Sequence, residues 1–431
     1  YDMWNDIPGR FVGFDIHKMD QYAPKFIKTI QTIMAGGYDV DYISDSFIKS
    51  TSCQDGMLKT RGGACYKALI VPAVKLIPVS TLKKLVALAR QGATVVFVEH
   101  YPEDVPGYAS LKQNREQLFA LLEQLPGEKS FRGTQAFNFG KGRIIVGSDY
   151  HETLERTGVP AEELKTRWGV QFIRRTHTEG HHYFISNLQA NDVEGWVTLN
   201  VPEKHIMCFD PMTGKRGIAK TREVEGKTQV YMQLKSGESI ILQTFTRSLQ
   251  GEPEWKYRKE MDYSLSLDHG WKLKFVESYP AIEGEFEIDT PSSWTEVAHP
   301  AAKINRGTAL YSLELDLPEL SADDWVLDLG DVRESARVRI NGQEAGIAWA
   351  ALFRLSIGQL LKSGKNLIEV EVTNLPVNSI AEMDRQGKQW RIFEDINMAK
   401  LNYEKGTYGH WETLPSGLNG IVRLIPVKYL F

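Results

Sequence analysis

The chain has 431 residues, 42% hydrophobic and 25% charged, with a formal net charge of −4. That length exceeds what one core usually serves, so about two to four domains are expected. The small net charge argues against a nucleic-acid partner, whose footprint is a basic patch or a high pI, and no apolar run approaches the roughly 20 residues of a membrane span.

Helix and strand signals alternate over the first part of the chain. In Lys18–Gly37, Phe26, Ile30, Ile33 and Met34 form one apolar face and Gly36-Gly37 supplies a stop, which predicts an amphipathic helix. Asp39–Ile43 is expected to be a strand, and Ala68–Val71 a second. Leu82, Leu85, Val86 and Ala89 form the stripe of a helix capped by Ser80 and closed by Gly92. Thr94–Val98 is a continuous apolar strand, the type buried on both faces of a parallel sheet. A helix at Glu116–Leu125 and a strand at Arg143–Val146 follow. The alternation predicts a parallel, doubly wound α/β domain over residues 1–165.

Ligands of such sheets bind beyond the carboxyl ends of the strands. Those ends carry Ser44-Asp45-Ser46, Pro72-Ala73 and Glu99-His100-Tyr101. No glycine-rich nucleotide fingerprint opens a helix, so nucleotide binding has no support. Glu99 and His100 are catalytic candidates by position, set against the plainer reading that they end a strand. The three cysteines, Cys53, Cys65 and Cys208, form neither an even framework nor a metal-ligand spacing. Residues Tyr1–Pro8 read as the interior of a longer polypeptide.

From Gly169 the period switches to two. Gln171–Thr176 and His182–Asn187 flank a turn at Gly180, and Trp196–Leu199, Met207–Phe209, Gln229–Leu234 and Ser239–Leu242 read as further strands. The expectation is a small antiparallel β domain over 166–250. His177, His181 and His182 gather at its first turn. Histidine clusters can bind metal, but no Cys or carboxylate stands here at a zinc spacing. After the polar joint Leu249–Glu254, a last domain covers 255–431. Trp271, Leu273 and Phe275 alternate with polar residues, as do Tyr311, Leu313, Leu315 and Leu317. Ala336, Val338 and Ile340 alternate with Arg337 and Arg339 before Asn341-Gly342, the pair that a type I′ hairpin needs. In a later strand Ile368, Val370 and Val372 face in, and Glu369 and Glu371 face out. With Trp325–Val332 and Ile421–Val427 this makes about eight strands, hence two antiparallel sheets packed face to face.

These stretches carry resemblances. The α/β region resembles flavodoxin and glutamine amidotransferase-like domains, whose cysteine nucleophile sits at a strand-to-helix turn. Cys65 instead precedes its strand, so the position is empty. "LDLGDV…ARVRINGQEAGIAW…FRLSIGQLLKSGKNLIEVEVTN" resembles the jelly-roll, galactose-binding-like sugar-binding domain of family 2-type glycoside hydrolases. Asn374–Asp384 and Leu414–Leu424 resemble the C-terminal end of the α-L-rhamnosidase family 106. Ser379 stands where that pattern has Arg, and Asn419 and Ile421 interrupt its Leu-Gly-Pro ending. "RRTHTEGHHYFISN", "FDPMTGKRG" and "LKSGESIILQTF" resemble the β domain of the same family.

The resemblance implies a catalytic pair of carboxylates on a (β/α)₈ barrel, which needs about 250 residues of repeated strand–helix units. The α/β region is too short for one. The barrel is therefore expected upstream of Tyr1, and no catalytic residue is assigned within this chain. The resemblance also implies a periplasmic or secreted location and an association with calcium, although no calcium loop is spelled out. The implied partners are carbohydrate and the upstream barrel. Within Glu382–Glu412, a long excursion between two strands, Asp384, Arg385, Trp390, Arg391, Glu394, Asp395, His410, Trp411 and Glu412 supply rings for sugar C–H faces and polar groups for hydroxyls. Trp349 lies in a separate loop. The chosen carbohydrate-binding set is Trp349, Asp384, Trp390, Trp411 and Glu412; the alternative is that these residues cover a sandwich edge. Three functions stay open: the accessory C-terminal part of an α-L-rhamnosidase-like enzyme, a stand-alone carbohydrate-binding protein, and a hydrolase with its site in the α/β domain.

Overall fold

All five residues of Thr94–Val98 are buried. The reason is pairing in parallel on both sides, to Ala68–Val71 and to Gly142–Gly147. Val95 and Phe97 face one layer, with Leu82, Leu85 and Leu88 of the Val79–Gln91 helix and Leu118 of the Leu111–Leu122 helix. Val96 and Val98 face the other, with Ile33 of the Pro24–Ala35 helix and Leu154 of the His151–Arg156 helix. Helices thus cover both faces of the sheet. The computed structural model describes residues 23–127, 133–156, 158–391 and 406–431, which form two compact units, Tyr1–Trp255 and Lys256–Phe431.

The first unit departs from expectation in four places. The sheet is not wholly parallel: Gln135–Phe139 pairs antiparallel to Gly142–Gly147, turning at Gly140-Lys141 with Gly140 at φ +62°. Glycine at the first central position is what a type II′ hairpin requires. Asp39–Ile43 is not a strand. Its side chains are tied laterally: Asp39 bonds Arg174 at 3.0 Å, and Asp41 accepts from the Tyr66 hydroxyl at 2.6 Å. Ser80 does not cap its helix, because the chain enters from Pro78 and Ser80 already lies in the first turn. A three-stranded meander, Ser52–Gln54, Met57–Lys59 and Cys65–Tyr66, precedes the parallel sheet. Of the expected helix at Lys18–Gly37, residues 18–22 lie outside the described residues.

The rest of this unit is antiparallel. One sheet has the strand order Arg216–Ile218, His205–Phe209, Ser239–Phe245, Gly180–Ser186, Gln171–His177. Another joins Val193–Leu199, Lys227–Leu234 and Thr221–Val224. Both contribute to one core containing Ile185, Leu242, Val197 and Val230.

A buried polar network fastens this β part to the α/β part. The Glu162 side chain is fully buried and accepts from the Arg174 guanidinium, from the Tyr183 hydroxyl at 2.8 Å and from the Asn200 N–H at 3.0 Å. Its own N–H donates to Gly37 O at 2.8 Å. Burial lifts the Glu162 carboxyl above its ordinary pKa, and Arg174 pulls it back only in part.

In the second unit, six strands lie in the order Glu285–Ile288, Trp271–Tyr279, Arg306–Leu317, Gly364–Thr373, Ser335–Ile340, Gln343–Ala348. The other sheet runs Tyr257–Glu260, Arg423–Leu430, Asp324–Asp328, Arg354–Ser356. Trp271, Tyr311 and Val370 of the first sheet and Leu327 and Leu424 of the second share one buried cluster, so the unit is a two-sheet sandwich. Asn341 and Gly342, at φ +54° and +78°, make the expected hairpin turn.

Removing one partner of a buried ion pair strands the other charge. Arg174→Met is expected to destabilise the first unit by about 3–5 kcal/mol in urea titration. Adding Glu162→Gln should recover part of that loss.

Candidate carbohydrate-contact site

The helix Val377–Arg385 follows directly from the Gly364–Thr373 strand. Pro376 stands before its first turn, and Asn378 holds the returning chain: its side-chain amide donates to Leu414 O at 2.8 Å and accepts from Leu414 N–H at 2.9 Å. That clamp brings residues 406–414 back against the helix end.

Asp384, the last residue but one of the helix, organises what lies there. Its carboxylate accepts from the Trp390 indole N–H at 2.8 Å and from the backbone N–H groups of Tyr408 and Gly409. The Trp390 bond, followed by these amides, holds its pKa below the usual carboxylate value. The Trp390 and Tyr408 ring centroids are 5.8 Å apart, and those of Tyr408 and Trp411 are 4.5 Å apart. The Arg391 guanidinium lies 5.1 Å from both the Trp390 and Tyr408 rings. Arg385 donates to Gly409 O at 2.9 Å.

The result is a row of three aromatic rings pinned by one carboxylate. Trp411, at its end, is 39% exposed. Such a row offers flat faces to sugar C–H groups, with Arg391 and the exposed Glu412 beside it for hydroxyls. Of the residues chosen from sequence, Asp384, Trp390 and Trp411 therefore meet, and Glu412 adjoins them. Trp349 stands elsewhere, 62% exposed in the loop after Gln343–Ala348. Asp384 has its acceptor capacity engaged inside the protein, so it positions the rings. Tyr408 joins the other two rings and was missed; its spacing from Trp411 is a turn signal, realised as Trp411 N–H donating to Tyr408 O at 3.0 Å. Glu394 and Asp395 lie outside the described residues.

The other candidates sit in the first unit. Glu99, exposed at the end of Thr94–Val98, takes φ +66°, uncommon for a residue with a side chain. His100 bonds Tyr101 O through Nδ1 at 2.8 Å. Cys65 is exposed in the small meander, on the amino-terminal side of the Ala68–Val71 strand. His177 accepts the Glu179 N–H on Nδ1 at 3.2 Å, so its Nε2 carries the proton and donates to Thr244 O at 3.1 Å. Both nitrogens are occupied, and His181 pairs with Glu203 at 3.2 Å. The histidines brace the hairpin. Among the described residues no group of three or more His, Cys, Asp or Glu is arranged to hold a metal ion, and no helix is long and apolar enough to cross a membrane.

Residues 9–221 match the alpha-L-rhamnosidase family model, glycoside hydrolase family 106. The match takes in "RRTHTEGHHYFISN" and "FDPMTGKRG" and leaves out the C-terminal stretches that also carried the resemblance. The solved rhamnosidase from Novosphingobium sp. PP1Y superimposes with a TM-score of 0.69 at 25% identity, covering 89% of this chain and 36% of that one. A curated protein described as a putative beta-glucuronidase, from Formosa agariphila, is 29% identical over 197 residues, 41% of this chain and 17% of the relative. The chain thus spans well under half the length of either.

The depressed Asp384 pKa fixes the sign of a pH effect. Its stabilisation is complete above the unfolded carboxylate pKa, about 3.9, and is lost as pH falls through the lower folded value. Hydrogen-exchange protection at the Tyr408 and Gly409 amides should therefore drop in acid. Asp384→Asn should show weaker protection at neutral pH and no acid transition.

Proposed function

We propose that this chain is the accessory part of an α-L-rhamnosidase-like glycoside hydrolase, supporting a catalytic barrel carried upstream in the same polypeptide and holding glycan near it. The superposition on a rhamnosidase, 89% of this chain on 36% of that one, carries the reading. The family match over residues 9–221 supports it independently. Among the described residues, parallel pairing beyond two isolated bridges involves three strands of one four-stranded sheet, far from the eight of a (β/α)₈ barrel. The three expected domains, 1–165, 166–250 and 255–431, then serve as an amidotransferase-like support, a small β module and a jelly-roll. In the last, Trp390 and Trp411 stack on sugar, Glu412 accepts from hydroxyls, Asp384 positions the rings and Trp349 makes a separate contact.

The purified chain is expected to bind rhamnose-containing glycans weakly on an array and to leave aryl rhamnosides intact. Trp390→Ala and Trp411→Ala should each weaken that binding. Absence of binding would remove the glycan-holding role. Turnover by the chain alone, lost in Glu99→Gln or His100→Ala, would move the chemistry to the α/β sheet and overturn the accessory reading.

A further inference from the structure

The strand Trp271–Tyr279 begins with strict alternation: Trp271, Leu273 and Phe275 are buried, and Lys272 and Lys274 are exposed. Continued, that parity would send Glu277 and Tyr279 into the core. The register against Arg306–Leu317 slips instead. Phe275 opposes Ala309, and Glu277 opposes Thr308, which leaves Val276 as an extra residue. A bulge of this kind re-aims every side chain beyond it, and Glu277 and Tyr279 both emerge exposed. Gly307 accommodates the slip. It sits at φ +144°, and a Cβ there would lie 1.9 Å from Glu277 O.

Beyond the bulge is a cavity of about 380 Å³ whose lining includes Glu277, Ser278, Tyr279, Arg306, Gly307 and Asn374. This size suits a monosaccharide-scale ligand. Two of the polar side chains are spent on the fold. Ser278 Oγ accepts from Ile282 N–H at 3.1 Å, and Asn374 Oδ1 accepts from Gly307 N–H at 3.0 Å. Two others are not. Among the described residues, neither Glu277 nor Arg306 makes an ion pair. Arg306 rests 4.4 Å over the Tyr279 ring and reaches Ser379 Oγ only at 3.5 Å. Tyr279 is 60% exposed with one face under the guanidinium, so the opposite face and the edges are open.

From this geometry we infer a second carbohydrate site, for a neutral pyranose, at the end of the six-stranded sheet where Trp271–Tyr279, Arg306–Leu317 and Gly364–Thr373 terminate. The free Tyr279 face takes the C–H face of the sugar. The Glu277 carboxylate accepts from hydroxyls, and Arg306 donates to hydroxyl or ring oxygens. One cation and one anion at the rim leave no net charge to reward an ionic ligand, which selects a neutral sugar over a uronate. The inference stands on this cavity alone, independently of the rhamnosidase-like reading.

Saturation-transfer NMR on the full chain tests it, with methyl α-L-rhamnoside and methyl β-D-glucoside as probes and glucuronate as the charged control. Measured in a Trp390→Ala/Trp411→Ala background that silences the aromatic row, transfer to ring C–H protons of at least one neutral glycoside is expected, with affinity about tenfold weaker on adding Tyr279→Leu or Arg306→Gln. Tyr279 is exposed and Arg306 half-buried, so thermal melts of each variant serve as the folding control. Three results would overturn the proposal: no transfer from either neutral glycoside, transfer that survives both cavity variants, or preference for glucuronate. Transfer seen with the parent chain but absent from the tryptophan double variant would assign the binding to the aromatic row and leave the earlier reading standing without this one.

Discussion

The amide of Asn374 is the fastening on which both candidate sites of the second unit depend. It accepts from Gly307 N–H at 3.0 Å and donates to Asn305 O at 3.0 Å and Ser416 Oγ at 3.1 Å. The first bond fixes the glycine that faces the bulge. The last holds the chain returning from the Trp411 loop, where Ser416 N–H also donates to Ser293 Oγ at 2.9 Å. A single side chain with donors and an acceptor in one plane can tie three segments at once, which a hydroxyl or a carboxylate cannot do with the same polarity. Four residues on, Asn378 repeats the device on Leu414. The asparagines of the Asn374–Asp384 stretch thus have architectural work, and the aromatic row and the cavity are placed by it.

The first unit relies on charge in place of amides. Glu162 has no exposure, and its neighbours are Arg174, Tyr183 and Asn200. Such a pair contributes little net stability over an apolar equivalent, yet it tolerates no mispairing. Its value lies in registration: Asp39 from the α/β part and Arg174 from the β part meet in one arrangement.

Much of the fold was legible because hydrophobic periodicity reports burial. Thr94–Val98, the Gly180 hairpin and the Asn341-Gly342 turn all follow from local pattern. The failures have local causes too. Asp39–Ile43 has strand composition, but its polar side chains found lateral partners that no window of sequence contains. Asp55-Gly56 is a hairpin signal as good as Asn341-Gly342, at φ +49° and +78°, but the strands it joins are three residues long and show no apolar alternation. The candidate site divides the same way. Trp390 and Trp411 were conspicuous by type, whereas the cavity was hidden, because alternation through Phe275 gives no warning that the next step is skipped. Tyr408 and Arg306 matter through what they touch across gaps in sequence, and spacing rules do not reach that far.

The extra residue at Val276 has an evolutionary corollary. Because strand side chains obey a parity of two, one codon gained or lost at this point would exchange the inward and outward sets downstream. A glutamate and a tyrosine would then be driven toward the interior, or two interior positions opened to solvent. Acquisition or erasure of a surface feature here is therefore a single insertion or deletion event, with the sandwich upstream of it untouched.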